Sequence, residues 1–452
     1  MGARVEDVLF DPVRRPGLSA SGAAVLERML AHPHAPVYRN QSGHRLQADE
    51  LQAALAYEQQ VARYQPGDAA FPDWLPDFVR DVCQKVPAYK ALAGLPFHTL
   101  PTWTRGDLSQ SIERFVPDDL PVDRLVLFST SGTTGHPLVV PSHPLVAARY
   151  QAFYFAALRA AGIEPMQGPE HVGIILAGYQ ERCFTYVSVN PTLGESGLAK
   201  LNLHPNDWRD SHHRGSYLDA MAPDVISGDP ISLAELVRTG MQHQPRALIS
   251  TSMALLPAQR QRLETHFGCP VLDVYSMNEA GPIAVFDAAR QGYRLLQPWL
   301  YVETLDVNGV PVGEGDVGEI TLTGGFNFYL PLLRYRTGDF GILSTSADGW
   351  PLLTSLQGRP PVRFRTRQGH WINNLEVTHA LKDCALVQYA LHQDAAGTLT
   401  LRLYGPCPAP HAARDALLTL FGPDQVLTLE HHPLPTAKII QYTSAMAGAA
   451  PL

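Results

Sequence analysis

The chain has 452 residues, 45% of them hydrophobic and 17% charged, an ordinary composition for a soluble globular protein long enough for a large domain and a small one. Its net charge of −8, with no basic run interleaved with aromatics, excludes nucleic acid and acidic membrane as partners. The five cysteines (Cys83, Cys183, Cys269, Cys384 and Cys407) are dispersed without a C-x-x-C pair, which excludes a disulfide framework and predicts reduced thiols in the cytoplasm.

Residues 1–30 lack an apolar signal core, and the longest apolar runs, such as Val172 to Ala177, are too short to span a bilayer. Residues 20–32 and 47–63 combine helix formers with apolar positions three and four apart, which predicts two helices around a Pro/His/Gly-rich turn at 33–44. They would form a helical N-terminal extension over residues 1–70. Helix is predicted to continue from Asp73 to Leu92.

From 120 to 290, apolar runs at 125–128, 172–177, 247–250 and 271–275 alternate with helical segments at 145–161, 231–241 and 256–266. That alternation predicts an α/β core with mostly parallel strands. Residues 295–345 are strand and turn in character, with Gly318 to Thr323 alternating at period two between glycines. After Gly358 the pattern changes to a short α+β unit, so the expected division is a large domain over 71–358 and a small one over 359–452.

The most informative segment is Ser129-Thr130-Ser131-Gly132-Thr133-Thr134-Gly135-His136-Pro137, directly after the apolar run Leu125-Val126-Leu127-Phe128. A strand ending in such a loop presents backbone N–H groups and hydroxyls with no bulky side chain in the way, as a polyphosphate requires. A Walker loop would need a lysine after its second glycine, and none follows here. By itself a Ser/Thr/Gly run is equally a solvated turn.

Further motifs follow in order: Asp273-Val274-Tyr275-Ser276-Met277-Asn278-Glu279, Arg334-Tyr335-Arg336-Thr337-Gly338-Asp339, Gly358-Arg359, Gly369 to Val377, and Pro433-Leu434-Pro435-Thr436-Ala437-Lys438. Together with the hydroxyl-rich loop they resemble the acyl-adenylate-forming (AMP-binding) superfamily over residues 80 to 442. The stretch Leu95 to Leu108, containing Pro101-Thr102-Trp103-Thr104-Arg105-Gly106-Asp107-Leu108, resembles its phenylacetate-CoA ligase-like branch. That branch also lacks the lysine most members carry after the loop proline, a place taken here by Leu138.

The resemblance implies a large adenylation lobe, of mostly parallel sheets with a small β-barrel, and a small mobile C-terminal lobe. Thr130, Ser131, Gly132, Thr133, Thr134 and Gly135 would hold the β- and γ-phosphates of ATP. Tyr275 and Ser276 would lie at the nucleotide, Glu279 would bind Mg²⁺, and Asp339 with Arg359 would hold the ribose hydroxyls. Lys438 would act on the carboxylate during adenylation, and Tyr179, Phe184 and Tyr186 stand where the family places acyl-pocket aromatics.

The function so implied is activation of a small carboxylic acid, aromatic by analogy with the branch, as acyl-AMP with release of pyrophosphate. The acyl group would then pass to coenzyme A or to the phosphopantetheine of an acyl carrier protein, with a homodimer as a possible assembly. Two alternatives stay open. One is direct transfer to an amine, because the hinge reads Gly358-Arg359-Pro360-Pro361-Val362 and proline restricts the backbone rotation a swinging lobe needs. The other is a non-catalytic nucleotide-binding homologue. His212-His213 lacks a ligand set at zinc spacing, and neither H-E-x-x-H nor G-x-S-x-G occurs.

Overall fold

A computed structural model describes residues 11–65, 71–129, 138–180, 183–358, 362–381, 383–434 and 439–447. Strands are numbered in chain order: β1 (Trp103–Thr104), the ribbon β2 (Val126–Ser129) and β3 (Val139–Ser142), then β4 (Val172–Gly178), β5 (Tyr186–Asn190) and β6 (Ser196–Asn202). There follow β7 (Val225–Gly228), β8 (Ala247–Thr251), β9 (Val271–Met277), β10 (Gly281–Asp287) and β11 (Gly292–Leu295). The large lobe ends with β12 (Leu300–Leu305), β13 (Gly318–Gly324), β14 (Leu332–Thr345) and β15 (Pro351–Gly358).

Among the described residues one sheet runs in the order β12-β13-β14-β15-β11-β10-β9-β8-β7-β4-β6-β5, with β1 added on β14. Its parallel part is β6-β4-β7-β8-β9, which is the α/β core that the alternation of runs predicts. The β-rich stretch from residue 295 onward pairs antiparallel and continues the same sheet. β4 is nearly continuous in apolar residues because both of its faces are covered.

Alternate residues of the sheet serve two cores. Ile175, Leu248 and Leu201 pack with Leu26 and Met29 of helix Ala20–Ala31 on one face. Ile174, Ile249 and Val274 pack with Phe153 of helix Pro144–Ala160 and with Tyr57 and Val61 of helix Ala48–Ala62 on the other. The N-terminal helices are thus built into the large lobe's cores. Each fully buried leucine or phenylalanine among these contributes about 1.5–3 kcal/mol of transfer free energy.

Helix does not continue unbroken from Asp73 to Leu92. It spans Leu75–Lys85, and a 3₁₀ turn then covers Pro87–Leu92. Val86 is extended (φ −95°, ψ 119°) because the ring of Pro87 disfavours the α conformation in the residue before it.

The small lobe is α+β, as its pattern predicts. A sheet of strands Leu427–His432, Leu399–Tyr404, Gln388–Gln393 and Tyr442–Ser444 packs with helices Asn374–Leu381 and Pro410–Phe421 around Phe364, Leu401 and Leu417. It meets the large lobe where Val387 and Leu434 pack against Ile231, with Tyr179 and Met253 alongside.

Candidate active site

The candidate site lies at the C-terminal end of β9, the last strand of the parallel set, and against β14. β9 ends at Met277 and the chain turns through Asn278, Glu279 and Ala280 into β10, with Gly281 opposite Met277. Gly281 has φ +68°, and a Cβ there would stand 2.4 Å from Cε1 of Phe326. Glycine is therefore required both for the turn and for the ring packed on it. The turn carries Glu279, which is only 4% exposed.

β14 brings the second set. Its Tyr335 phenol donates to Glu279 Oε1 at 2.6 Å, and Asp339, further along the strand, accepts from the Tyr275 phenol at 2.8 Å. The two tyrosine–carboxylate pairs cross between β9 with its turn and β14. Burial, and then the neighbouring carboxylate, pushes both phenols well above their ordinary pKa, so both remain protonated donors.

Asp339 is also held by its backbone. Its N–H donates to Thr337 Oγ1 at 3.0 Å, and Gly338 (φ +76°) donates its N–H to Glu319 Oε1 at 3.0 Å. The Arg336 guanidinium is bound to Glu319, so that arginine serves the turn. The preceding Arg334, 2% exposed and at φ +44°, is paired with Glu303 and donates to the carbonyls of His98, Leu100 and Gly309. It fixes the segment leading into β1.

β1 pairs in parallel with β14, Trp103 opposite Tyr335 and Thr104 opposite Arg336. Thr104 then caps helix Arg105–Gln110 in a reciprocal box with Asp107. This delivers Arg105 to Glu279, Nη1 to Oε1 at 3.5 Å. Arg105 is a site residue the sequence reading did not single out, although the Pro101 to Leu108 motif that contains it was its signal. Leu138, in the lysine position, is fully buried in apolar surroundings and supplies no cation.

Of the other expected residues, Tyr179 follows directly on β4 and packs against the cluster of Ile231, Val387 and Leu434, as does Met253 just beyond β8. Phe184 is 53% exposed and meets the ring of Tyr186 edge-on at 5.6 Å. Tyr186 lies on the sheet's edge strand, separated from β9 by β8, β7, β4 and β6, and burial pushes its phenol up to about 12. Ser276 bonds Thr251 through its hydroxyl.

Thr130, Ser131, Gly132, Thr133, Thr134, Gly135, Arg359 and Lys438 lie outside the described residues. Their flanks are described. The β2–β3 ribbon brackets 130–137 with Ser129 opposite Val139, and Gly358, directly before Arg359, is opposite Asp339.

Among the described residues no cluster of three His, Cys, Asp or Glu side chains could hold a metal ion. A single carboxylate suits Mg²⁺, which keeps several waters and takes phosphate oxygens as further ligands. Glu279 fits that part, because among the described residues both of its hydrogen bonds fall on Oε1.

No family model matches the chain. Phenylacetate-coenzyme A ligase of Escherichia coli is 24% identical over 252 residues, covering 53% of this chain and 56% of that protein. The same enzyme of Thermus thermophilus is 27% identical over 233 residues, covering 48% and 50%. The chain spans about half the length of the curated relatives it matches. A solved 2-hydroxyisobutyryl-CoA ligase, in the postadenylation state with R3-HIB-AMP, has a TM-score of 0.58 at 18% identity, covering 87% of this chain and 89% of that one.

The fold is shared with that CoA ligase. In sequence the chain is similar to the phenylacetate-coenzyme A ligases.

Proposed function

We propose that the chain is an ATP-dependent, AMP-forming ligase that activates a small carboxylic acid and passes the acyl group to a thiol. The observation that supports this reading is the pair of bonds Tyr275–Asp339 and Tyr335–Glu279, which orient two carboxylates that we read as the ribose acceptor and the metal ligand. A carboxylate oxygen of the acid attacks the α-phosphorus of ATP, the bond to the bridging oxygen breaks, and pyrophosphate leaves. The thiol sulfur then attacks the acyl carbon and AMP leaves.

Asp339, oriented by Tyr275 and Thr337, accepts from the ribose hydroxyls, and Arg359 is proposed as a donor to them. Glu279, steadied by Tyr335 and Arg105, would hold Mg²⁺, which supplies positive charge to the phosphate oxygens. The loop 130–135 supplies neutral donors to the β- and γ-phosphates, and Lys438 supplies a cation to the attacking carboxylate. Coenzyme A is the acceptor favoured by the relatives' names; a carrier-protein pantetheine, a homodimeric assembly and a cytoplasmic location belong to the same proposal. No helix among the described residues is long and apolar enough to cross a membrane.

Carboxylate-dependent ATP–pyrophosphate exchange over a panel of acids tests the first half-reaction, and screening coenzyme A, carrier protein and amines tests the second. Failure of exchange with every acid overturns the ligase reading. Amide formation with failure of every thiol moves the acceptor from sulfur to nitrogen. Val362 bears on that choice, since its N–H donates to Asn374 Oδ1 at 2.9 Å and so ties the residue after the proline pair to the small lobe.

A further inference from the structure

Ser276 stands where the adenylate-forming enzymes carry the glycine of their Y-G-x-T-E element, one residue after Tyr275 and three before Glu279. Its Oγ lies 2.5 Å from Thr251 Oγ1, at the end of the neighbouring strand β8. Tyr150, from helix Pro144–Ala160, meets the ring of Tyr154 edge-on at 5.4 Å. Tyr150 in turn meets the ring of Phe326 edge-on at 5.9 Å, and Phe326 is the ring packed on Gly281 beneath the Glu279 turn. The bonded hydroxyls of Thr251 and Ser276 thus stand beside Tyr275 and the Glu279 turn, and both residues are only half-buried.

The arrangement serves no evident need of the backbone. β9 and β10 are already paired through Met277 and Gly281, and a glycine at position 276 would leave the strand end intact. What a glycine could not supply is a donor and two lone pairs. Among the described residues one O–H of the Ser276–Thr251 pair satisfies the other oxygen, so the second O–H is left for a ligand.

Resting on the adenylation reading above, we infer that Ser276 and Thr251 form a specificity-determining part of the acyl pocket, and that the acid activated carries a hydroxyl or amino substituent near its carboxylate. An acid lacking such a group would strip water from this pair and leave its second O–H without an acceptor. A site built to hydrogen-bond its substrate rejects the bare analogue far more strongly than an apolar pocket rejects a missing methylene.

The test uses matched pairs of acids of one skeleton, with and without the substituent: mandelate and phenylacetate, lactate and propionate, salicylate and benzoate. Pyrophosphate exchange should favour the substituted member of at least one pair by about 10²-fold in kcat/KM. Ser276→Gly and Thr251→Val should each reduce that ratio by about tenfold, with the change read in KM for the acid more than in KM for ATP. Thr251→Ser, which keeps the hydroxyl, should keep the ratio and guards against a mere packing defect.

An active enzyme that treats both members of every pair alike overturns the inference and leaves the ligase reading standing. So does a preference that survives Ser276→Gly and Thr251→Val unchanged. Silence with every acid overturns the ligase reading itself.

Discussion

Tyr335 and Glu279 are 56 positions apart in the chain and 2.6 Å apart in space, phenol to carboxylate. The bond joins β14 to the β9–β10 turn and, with Arg105 on the same oxygen, sets the direction of a carboxylate that is almost wholly buried.

Tyr335→Phe should therefore weaken metal use without unfolding the lobe. A hydrogen bond to a charged group is worth roughly 1.5–3 kcal/mol, which corresponds to about 10- to 100-fold in exchange rate at limiting Mg²⁺. Arg105→Ala should act in the same direction, and Arg105→Lys should restore part of the loss. A Mg²⁺ titration of Tyr335→Phe that overlays wild type would reduce the tyrosine to packing.

Asp339→Ala should raise the KM for ATP by removing the acceptor for two ribose hydroxyls, an effect of about 1.5–3 kcal/mol. Tyr275→Phe should raise it less, since the carboxylate stays and loses one of the bonds that orient it. Equal ATP affinity in Asp339→Ala and wild type would remove Asp339 from the nucleotide site.

Asp273 makes a prediction about pH. It is 7% exposed, accepts from the Tyr293 phenol at 2.6 Å, and burial pushes its carboxyl up to about 6 in spite of that bond and of Arg260. The folded protein then binds this proton more tightly than the unfolded chain, so the contribution to stability is full below pH ~4 and is lost as pH rises through about 6. Above that, ionisation of the buried group costs on the order of 3 kcal/mol. Asp273→Asn should raise the melting temperature at pH 7–8 and bring no gain at pH 4. Melting curves that shift in parallel with wild type at both pH values would contradict the assignment.

Gly281→Ala tests the turn. The side chain would force an L-residue into φ +68° and press on Phe326, at a cost of about 2–4 kcal/mol. Loss of exchange activity should accompany the loss of stability, because Glu279 sits two residues away. A variant with wild-type stability would mean that the turn relaxes freely.

The sequence by itself determined what depends on neighbours along the chain. Helices near 20–32, 47–63, 145–161, 231–241 and 256–266 were legible from apolar spacing and are present as Ala20–Ala31, Ala48–Ala62, Pro144–Ala160, Pro230–Arg238 and Pro257–Phe267. The order of the motifs around Tyr275, Glu279 and Asp339 was legible too, since turns and strand ends are written in consecutive residues. The break at Val86 was also written there, in Pro87, and the apolar pattern across it overrode the signal.

Only the tertiary structure decided who faces whom. Arg105 and Glu279 are 174 positions apart, and nothing local distinguishes that arginine from a solvated one at a helix start. Its placement depends on β1 pairing in parallel with β14, itself anchored by the buried Arg334–Glu303 pair. Thr251 and Ser276 meet because β8 and β9 run side by side, with Thr251 opposite Val274 and Ser276 two residues further on. Periodicity records which face of an element is apolar; it holds no information on which distant strand will lie beside it, because that is settled by the packing of the whole sheet.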